Sequence, residues 1–340
     1  MINLKNDYCY IAHPKVLNKM IECNSEINVG YGMDKHSLNA EKMIISLIDN
    51  KNAKVYFLNG GTITNKIFIS HVLKVHEAVI STDIGHINVH ETGAIRNKIL
   101  LVDNVNGKIT IDGINRVCLE HIDEHMVKPK LLYISNSSEY GTIYTLKELK
   151  EISSYCKEHD LLFFIDGARL GNALTSKDND VSLKDFGSLC DAFYIGGTKN
   201  GAIIGEALVI NNPVLQKDFR YSIKHFGGMY SKGFISAIQF ETLFEEDLFY
   251  QIARKENQLA LLLTKGLKDL GYSLYLETQT NQVFVLFTSE QVDKIKEKIA
   301  FEEFGKTNTH IIVRFVTHYM LNEEDILESL KIISNSTMER

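Results

Sequence analysis

The stretch that decides the fold is FYIGGTKNG, residues 193–201, in which a short apolar run leads into a glycine-rich turn that carries Lys199. A second apolar run, Ala207–Ile210, follows this turn. Asn-Gly between two β-strands is a strong hairpin signal, so a lysine at the tip of a hairpin is the simplest local interpretation. Further upstream, however, the apolar run Leu161–Ile165 ends at Asp166, which suggests a second interpretation.

Asp166 and Lys199 are the two kinds of side chain that pyridoxal phosphate (PLP) requires. The lysine would form the Schiff base with the cofactor, and the carboxylate would keep the pyridine nitrogen protonated so that the ring accepts electrons. Because the carboxyl ends of parallel strands meet at one edge of a sheet, both residues would face one site there. The sequence therefore predicts PLP as the cofactor, with Lys199 and Asp166 as catalytic residues.

Composition limits the class of protein. The chain has 340 residues, 44% of them hydrophobic, and a net charge of −6, so we expect a compact protein without the basic surface that nucleic acid or an anionic membrane would attract. Its five cysteines are scattered without a C-x-x-C pair, which indicates neither disulfides nor a metal site and suits a reducing cytoplasm. The first residues lack the apolar segment of a signal peptide, and no apolar run approaches the roughly 20 residues of a membrane span.

The order of the predicted elements indicates the fold class. Apolar runs predict strands at Val55–Leu58, Ala78–Thr82, Ile99–Val102, Leu131–Ser135, Leu161–Ile165 and Ala192–Ile195, and helical patterns predict helices at Thr62–Leu73, Ile111–His125 and Leu146–His159. Strands that are apolar on both faces and alternate with helices are typical of a mostly parallel sheet with helices on both sides. We therefore predict an α/β fold.

The pattern changes toward the C terminus. Apolar residues at helical spacing predict one long helix that ends near Gly271, followed by a strand at Gln282–Phe287, a helix at Gln291–Ile299, a strand at Ile311–Val316 and a last helix from Asn322. We predict a large domain over residues 1–250, with an irregular N-terminal segment 1–40, and a small α+β domain over residues 251–340.

A phosphate site is predicted at Asn59–Thr62, between a strand and a helix. Gly60 and Gly61 let backbone N–H groups approach an anion, the helix N-terminus adds its dipole, and the Thr62 hydroxyl adds a donor. The alternative is a glycine turn in which Thr62 is a helix N-cap. A Walker A motif is excluded because no Gly-Lys-Ser/Thr follows, and the absence of G-x-G-x-x-G here argues against a nicotinamide enzyme.

Three further side chains could serve such a site. His86 follows a predicted strand, and an imidazole there can stack on an aromatic cofactor and move protons. Arg169, shortly after the strand-end aspartate, could bind the cofactor or a carboxylate. Arg314 lies within the apolar strand Ile311–Val316 and needs a partner, either an internal carboxylate, which we favour, or that of a substrate.

Taken in order, these motifs resemble one known family. The chain is similar throughout to the fold-type I PLP enzymes of the low-specificity threonine aldolase and β-eliminating lyase group, whose fold is that of aspartate aminotransferase, with a seven-stranded sheet. The resemblance is carried by the Tyr31-Gly32 segment, Gly61-Thr62, His86–Ala94, Asp166–Arg169, the turn at Lys199, Gly227–Met229 and Arg314–His318. It implies a lyase that cleaves L-threonine or L-allo-threonine to glycine and acetaldehyde, in a homodimer or homotetramer with shared active sites.

The resemblance also implies a role for each site residue. Lys199 would bind the cofactor covalently, Asp166 would pair with its ring nitrogen, and His86 would stack on the ring and act as a base, directly or through a water. At the phosphate would lie Gly60, Gly61, Thr62 and Thr198. The substrate would be bound by Arg169 and Arg314 at its carboxylate, by Asn6, which stands where the aldolases have a serine, and by Tyr31 of the neighbouring subunit. Arg169 would also touch the cofactor.

One departure from the family keeps other reactions open. Where the aldolases carry Asn-Thr-His, with a second histidine for the β-hydroxyl group, this chain has Asn136-Ser137-Ser138-Glu139. β-Elimination from a β-substituted amino acid would not need that histidine, and transamination shares the early steps. Outside this cofactor class, Lys199 could act directly on a carbonyl substrate, or the protein could be a non-catalytic α/β binding module.

Overall fold

The structure, a computed structural model, describes residues 1–338. Its strands are β1 (Ile2–Asn3), β2 (Lys54–Leu58), β3 (Glu77–Thr82), β4 (Ile99–Val102), β5 (Lys128–Ser135), β6 (Leu162–Asp166), β7 (Ala192–Gly196), β8 (Glu206–Ile210), β9 (Gln282–Phe287), β10 (Ile299–Ala300), β11 (Glu302–Lys306) and β12 (Ile311–Val316). Its α-helices are α1 (Pro14–Glu22), α2 (Lys35–Ile48), α3 (Gly61–Val72), α4 (His86–Val89), α5 (Ile111–Glu120), α6 (Leu146–Glu158), α7 (Leu170–Leu174), α8 (Leu183–Leu189), α9 (Phe219–His225), α10 (Phe234–Phe244), α11 (Leu248–Asp269), α12 (Ser289–Ile295) and α13 (Glu323–Met338). Short 3₁₀ helices occupy Cys23–Ser25, Pro213–Gln216 and Glu245–Asp247. In this described part of the chain, every helix is too short or too polar to cross a membrane.

Seven strands form the main sheet, in the order β2-β8-β7-β6-β5-β3-β4. The strands from β7 to β4 in that order run parallel, and β8 runs antiparallel to both of its neighbours. The predicted α/β class with a mostly parallel sheet is therefore confirmed. The hairpin interpretation also holds, because β7 and β8 pair directly and residues 197–205 between them carry Lys199.

Both faces of this sheet are buried. Successive side chains of a strand point to opposite faces, so Phe193 joins the hydrophobic core on one side and Tyr194 the core on the other. Every residue of β3, β7 and β8 is buried. This burial explains why the strands are continuous apolar runs instead of alternating polar and apolar residues.

The predicted helices of the large sheet correspond to α3, α5 and α6. α6 begins after Thr145, whose side chain accepts a hydrogen bond from the Glu148 N–H while the Glu148 carboxylate accepts one from the Thr145 N–H, a capping box. α5 ends at Glu120 and not at the predicted His125, because His121 leaves the helical conformation with a φ of −122° and a ψ of 55°.

The C-terminal part has a second core. β11, β12 and β9 form an antiparallel three-stranded sheet. Apolar side chains of this sheet and of helices α11, α12 and α13 form a hydrophobic cluster separate from those of the main sheet. Gly271, just after α11, has a φ of +85°, which glycine adopts without strain.

Two details depart from the predicted elements. The helix predicted over Gln291–Ile299 ends at Ile295, and Ile299 lies in β10, because β10 pairs in parallel with β1. The first strand of the N-terminal segment thus pairs with a strand of the C-terminal part, and Leu4 is buried in the C-terminal core. The domain boundary near residue 250 stays a prediction.

Candidate active site

The carboxyl ends of the parallel strands open onto one cavity of about 400 Å³. Loops that follow β2, β3, β5, β6 and β7 form its walls, at the edge where α/β sheets carry their sites. The predicted site residues that line it are Gly60, Gly61, Thr62, His86, Asp166, Arg169, Thr198 and Lys199. Motifs that lie far apart along the chain therefore meet in one place.

Lys199 places an amine in this cavity. Burial lowers the pKa of Lys199, and the nearby Arg169 guanidinium lowers it further. The neighbouring Glu206 accepts a hydrogen bond of 3.0 Å from the Gly197 N–H, and burial raises its pKa. A lysine with a lowered pKa is more often neutral at pH 7 and can attack a carbonyl group. Glu206 was missed from sequence, although a charged residue directly before the apolar run Ala207–Ile210 is a usable signal.

Asp166, at the end of β6, is surrounded by donors. Its Oδ2 atom accepts hydrogen bonds from the Tyr133 hydroxyl at 2.5 Å and from Asn65 Nδ2 at 3.1 Å. Its Oδ1 atom accepts from the Tyr194 hydroxyl at 2.5 Å and from the Ala168 N–H at 3.0 Å. The two tyrosines lie in β5 and β7, the strands on either side of β6, so the sheet itself positions both hydroxyls. Sequence patterns offered no signal for them, since each lies within an apolar run.

Arg169 is held by a residue from the N terminus. Its Nε and Nη2 atoms donate to the two carboxylate oxygens of Asp7 at 2.6 and 3.1 Å, and Asn281 Nδ2 donates to the same carboxylate at 3.0 Å. Burial opposes the ionisation of Asp7, but Arg169 and Lys199 outweigh it and lower the pKa of Asp7 to about 2. Part of the guanidinium that the sequence assigned to a substrate carboxylate is therefore bound within the protein.

The other predicted substrate residues lie outside the wall of this cavity. Arg314 forms an ion pair with Glu302 and donates to Gln282 Oε1 at 3.2 Å, so it has the internal partner that the sequence favoured. Asn6 hydrogen-bonds within its own loop, and Tyr31 is 48% exposed on another surface of the chain. Substrate binding by these three residues stays a prediction.

His86 is oriented by a buried carboxylate. Its Nδ1 atom lies 2.8 Å from Oε1 of Glu91, whose side chain is fully buried. With Nδ1 hydrogen-bonded in this way, Nε2 is the ring nitrogen left for a partner in the cavity. The backbone N–H of His86 donates at 2.9 Å to Glu139, a further acid in the cavity wall that the sequence did not single out.

These residues fit pyridoxal phosphate. Gly60 and Gly61 stand at the N-terminus of α3, an arrangement that binds phosphate, and a Cβ atom at Gly61 would lie 3.0 Å from the Tyr194 hydroxyl. Ser137 lines the cavity, and its buried Oγ atom has no hydrogen-bond partner within residues 1–338, an orphaned polar atom of the kind that a bound ligand can satisfy. The cavity thus combines an anion site, an amine and a carboxylate.

Comparison with known proteins finds relatives of nearly the whole chain. A low specificity L-threonine aldolase of Pseudomonas aeruginosa is 29% identical over 291 residues, which cover 84% of this chain and 84% of that protein. A solved structure of a Leishmania major threonine aldolase matches with a TM-score of 0.97 at 38% identity, over 98% of this chain and 99% of that chain. A Sphingomonas wittichii serine palmitoyltransferase, 15% identical, matches with a TM-score of 0.75 over 98% of this chain and 86% of its own, which shows the fold alone.

A model of a protein family also matches most of this chain. The model described as beta-eliminating lyase matches residues 12–290, a range that includes the glycine turn before α3, the aspartate at the end of β6 and the lysine between β7 and β8. The fold and the cavity agree with this match, and the chain belongs to the beta-eliminating lyase family.

Proposed function

We propose that this chain is a PLP-dependent lyase that cleaves the Cα–Cβ bond of L-threonine or L-allo-threonine to give glycine and acetaldehyde. The observation that carries the proposal is the placement of Lys199 and Asp166 in one cavity with the glycine turn at the start of α3. Relatives that match most of this chain are named threonine aldolases, which supports the same reaction. Membership of the beta-eliminating lyases supports the cofactor.

Different residues of the cavity would bind different parts of the cofactor. Lys199 would anchor the cofactor until the amine of the substrate takes its place, and Asp166 would hold a proton on the pyridine nitrogen. Backbone and hydroxyl donors of Gly60, Gly61, Thr62 and Thr198 would bind the phosphate. The bound cofactor supplies an acceptor for the electron pair that bond cleavage leaves on Cα. His86, oriented by Glu91, would cover the ring and keep water from it.

Two arginines would bind the substrate carboxylate. Arg169 keeps its Nη1 atom for this purpose while Asp7 holds Nε and Nη2. Arg314 would exchange the carboxylate of Glu302 for that of the substrate. A substrate whose carboxylate is held at a fixed position has the bond to be broken already oriented, and this orientation lowers the barrier to the reaction.

β-Elimination from a β-substituted amino acid is the second candidate function. The observation that favours it is the loop after β5, Asn136–Glu139, which carries no histidine for a β-hydroxyl group. In this reaction Lys199 would take the Cα proton, and the substituent would leave from Cβ.

The test is to incubate the PLP-loaded protein with L-threonine and with L-allo-threonine and to measure four products. Glycine and acetaldehyde in equal amounts, lost in Lys199→Ala, would support the aldolase. Lys147→Ala is a matched control, because the side chain of Lys147 is 85% exposed. Ammonia together with a 2-keto acid would contradict the aldolase and favour β-elimination, and a keto acid without ammonia would favour transamination.

We also propose that the chain works in the cytoplasm as a homodimer or homotetramer with shared sites. Large apolar side chains are exposed in the N-terminal segment, where Ile11, Val29 and Met33 are 72%, 66% and 58% exposed, and Tyr31 lies among them. A second copy would cover this surface, and Tyr31 would reach the neighbouring cavity. All five cysteines are free thiols, as in a reducing compartment. Sedimentation equilibrium tests the assembly, and a monomer at micromolar concentration would contradict it.

A further inference from the structure

Cleavage of a β-hydroxy amino acid needs a base, because the hydroxyl group must lose its proton as the aldehyde forms. If the proposed function holds, a group in the cavity must be that base. The walls contain several ionisable side chains, and Glu139 in the loop after β5 is the one whose surroundings fit the task best.

Glu139 presents one oxygen to the protein and one to the cavity. Its Oε1 atom accepts hydrogen bonds from Ser135 Oγ at 2.7 Å and from the His86 N–H at 2.9 Å. For Oε2 no partner from another residue is found within residues 1–338, and the residue lines the cavity. The carboxylate is therefore fixed by one oxygen, and its second oxygen is available to accept a proton.

The surroundings also make Glu139 a stronger base than an exposed glutamate. Burial raises the pKa of Glu139, and the charge of Asp166 raises it further, against the opposing effect of the hydrogen bonds from Ser135 and His86. A base is most effective when its pKa lies near the working pH, and a raised carboxyl pKa moves in that direction.

The same loop carries a second polar side chain that lines the cavity. Ser137, two residues before Glu139, is 7% exposed, and its Oγ atom has no hydrogen-bond partner in the described part of the chain. Buried polar atoms are nearly always hydrogen-bonded in folded proteins. Ser137 and Glu139 therefore both leave hydrogen-bonding capacity in one loop of the cavity wall.

Three other ionisable groups of the cavity wall have a different task or partner. His86 is hydrogen-bonded to Glu91 through Nδ1 and keeps Nε2 for the cavity, but its ring is assigned to stacking on the cofactor. Glu206 binds the Gly197 N–H and acts on the charge of Lys199, on the opposite side of β6 from Glu139. Asp166 already accepts four hydrogen bonds.

We propose that Glu139 is the catalytic base for the β-hydroxyl group of the substrate. Its carboxylate takes the hydroxyl proton while the C–O bond becomes a carbonyl and the Cα–Cβ bond breaks. The electron pair of the broken bond stays on Cα, where a bound cofactor would supply the acceptor, and the aldehyde leaves. Cα then takes up one proton to give glycine, and Glu139 releases the proton that it took, so the reaction consumes none.

The test compares Glu139→Gln with Glu148→Gln in the PLP-loaded protein. The amide oxygen of the new glutamine can still accept from Ser135 and His86, so the loop keeps its hydrogen bonds but loses the base. Glu148→Gln is the matched control, because glutamine also completes the capping box of α6 and lies outside the cavity. Two rates are measured, the release of acetaldehyde from L-threonine and the exchange of the Cα hydrogen of glycine with deuterium.

We expect Glu139→Gln to slow acetaldehyde release by about 10²- to 10⁴-fold, the usual contribution of a general base. Glycine has no hydroxyl group, so its hydrogen exchange should stay within about threefold of the unmodified protein. In the protein without cofactor, Glu139→Gln should remove one component of the infrared band of protonated carboxyl groups that titrate above the ordinary glutamate range, while the component of Glu206 remains.

Three results would overturn the assignment of Glu139. They are acetaldehyde release that survives in Glu139→Gln, an equal loss of glycine exchange, and an infrared titration that Glu139→Gln leaves unchanged. Failure of the proposed function looks different, because the unmodified protein would then exchange glycine but release no acetaldehyde. That result would overturn both proposals together.

Discussion

Replacing Asp7 by asparagine removes the charge that balances Arg169 inside the protein. The pKa of Asp7, ordinarily 3.8, is lowered to about 2 in the folded state, although burial alone would raise it. At about 1.4 kcal/mol per pH unit, this difference corresponds to about 2.5 kcal/mol of stability. Removing one partner of a buried ion pair typically costs about 3–5 kcal/mol. We therefore expect Asp7→Asn to lower the free energy of unfolding by about 3 kcal/mol near neutral pH.

The pH dependence of this loss follows from the sign of the shift. Because the folded protein lowers the pKa of Asp7, the stabilisation is complete above the unfolded value of 3.8 and is lost as the pH falls through about 2. The difference between the unmodified protein and Asp7→Asn should therefore be constant near neutrality and shrink in acid.

Urea unfolding monitored by circular dichroism measures both effects. Asp103→Asn is the control, because the side chain of Asp103 is 89% exposed and lies 3.7 Å from Arg116. Losing a surface ion pair of this kind should lower the free energy of unfolding by less than about 0.5 kcal/mol. Equal losses in the two variants, or a loss in Asp7→Asn that does not change with pH, would refute the reasoning.

Two further changes test the packing and the charges elsewhere. Gly167→Ala would place a Cβ atom 1.9 Å from a backbone carbonyl oxygen of β7, so we expect the free energy of unfolding, measured in urea, to fall by about 3 kcal/mol. Gly305→Ala is the control and should be tolerated, because the nearest atom to its new Cβ would lie 3.6 Å away. Burial would lower the pKa of His36, but its hydrogen bonds to Glu26 and Glu241 outweigh burial and raise it above the ordinary 6.5. His36→Gln should therefore destabilise the protein below that pH, and the loss should disappear as the pH rises through the raised pKa; a loss that is the same at every pH would contradict this.

The sheet could be predicted from the sequence because its strands are buried on both faces. Such strands leave continuous apolar runs, such as Ala78–Ile80 in β3 and Ala192–Ile195 in β7, and these runs are visible without a structure. The meeting of Asp166 with Lys199 could be predicted too, because each follows such a run and the carboxyl ends of parallel strands share one edge.

The contacts that complete the cavity could not be predicted, because they join residues that no periodicity relates. Asp7 and Arg169 are far apart along the chain, and only the folded N terminus brings them together. The Glu139 carboxylate accepts a hydrogen bond from Ser135 because the loop between them folds back, and the sequence of that loop does not specify its path. The pairing of β1 with β10, which ends the predicted helix early, is long-range in the same sense.

The most direct test of the account is to identify the lysine that holds the cofactor. Treatment of the PLP-loaded protein with borohydride makes the bond between cofactor and lysine permanent, and mass spectrometry of the digested protein then locates it. We expect a single modified peptide with the cofactor on Lys199, and no such peptide from Lys199→Ala. Cofactor on a different lysine, or on none, would contradict the account.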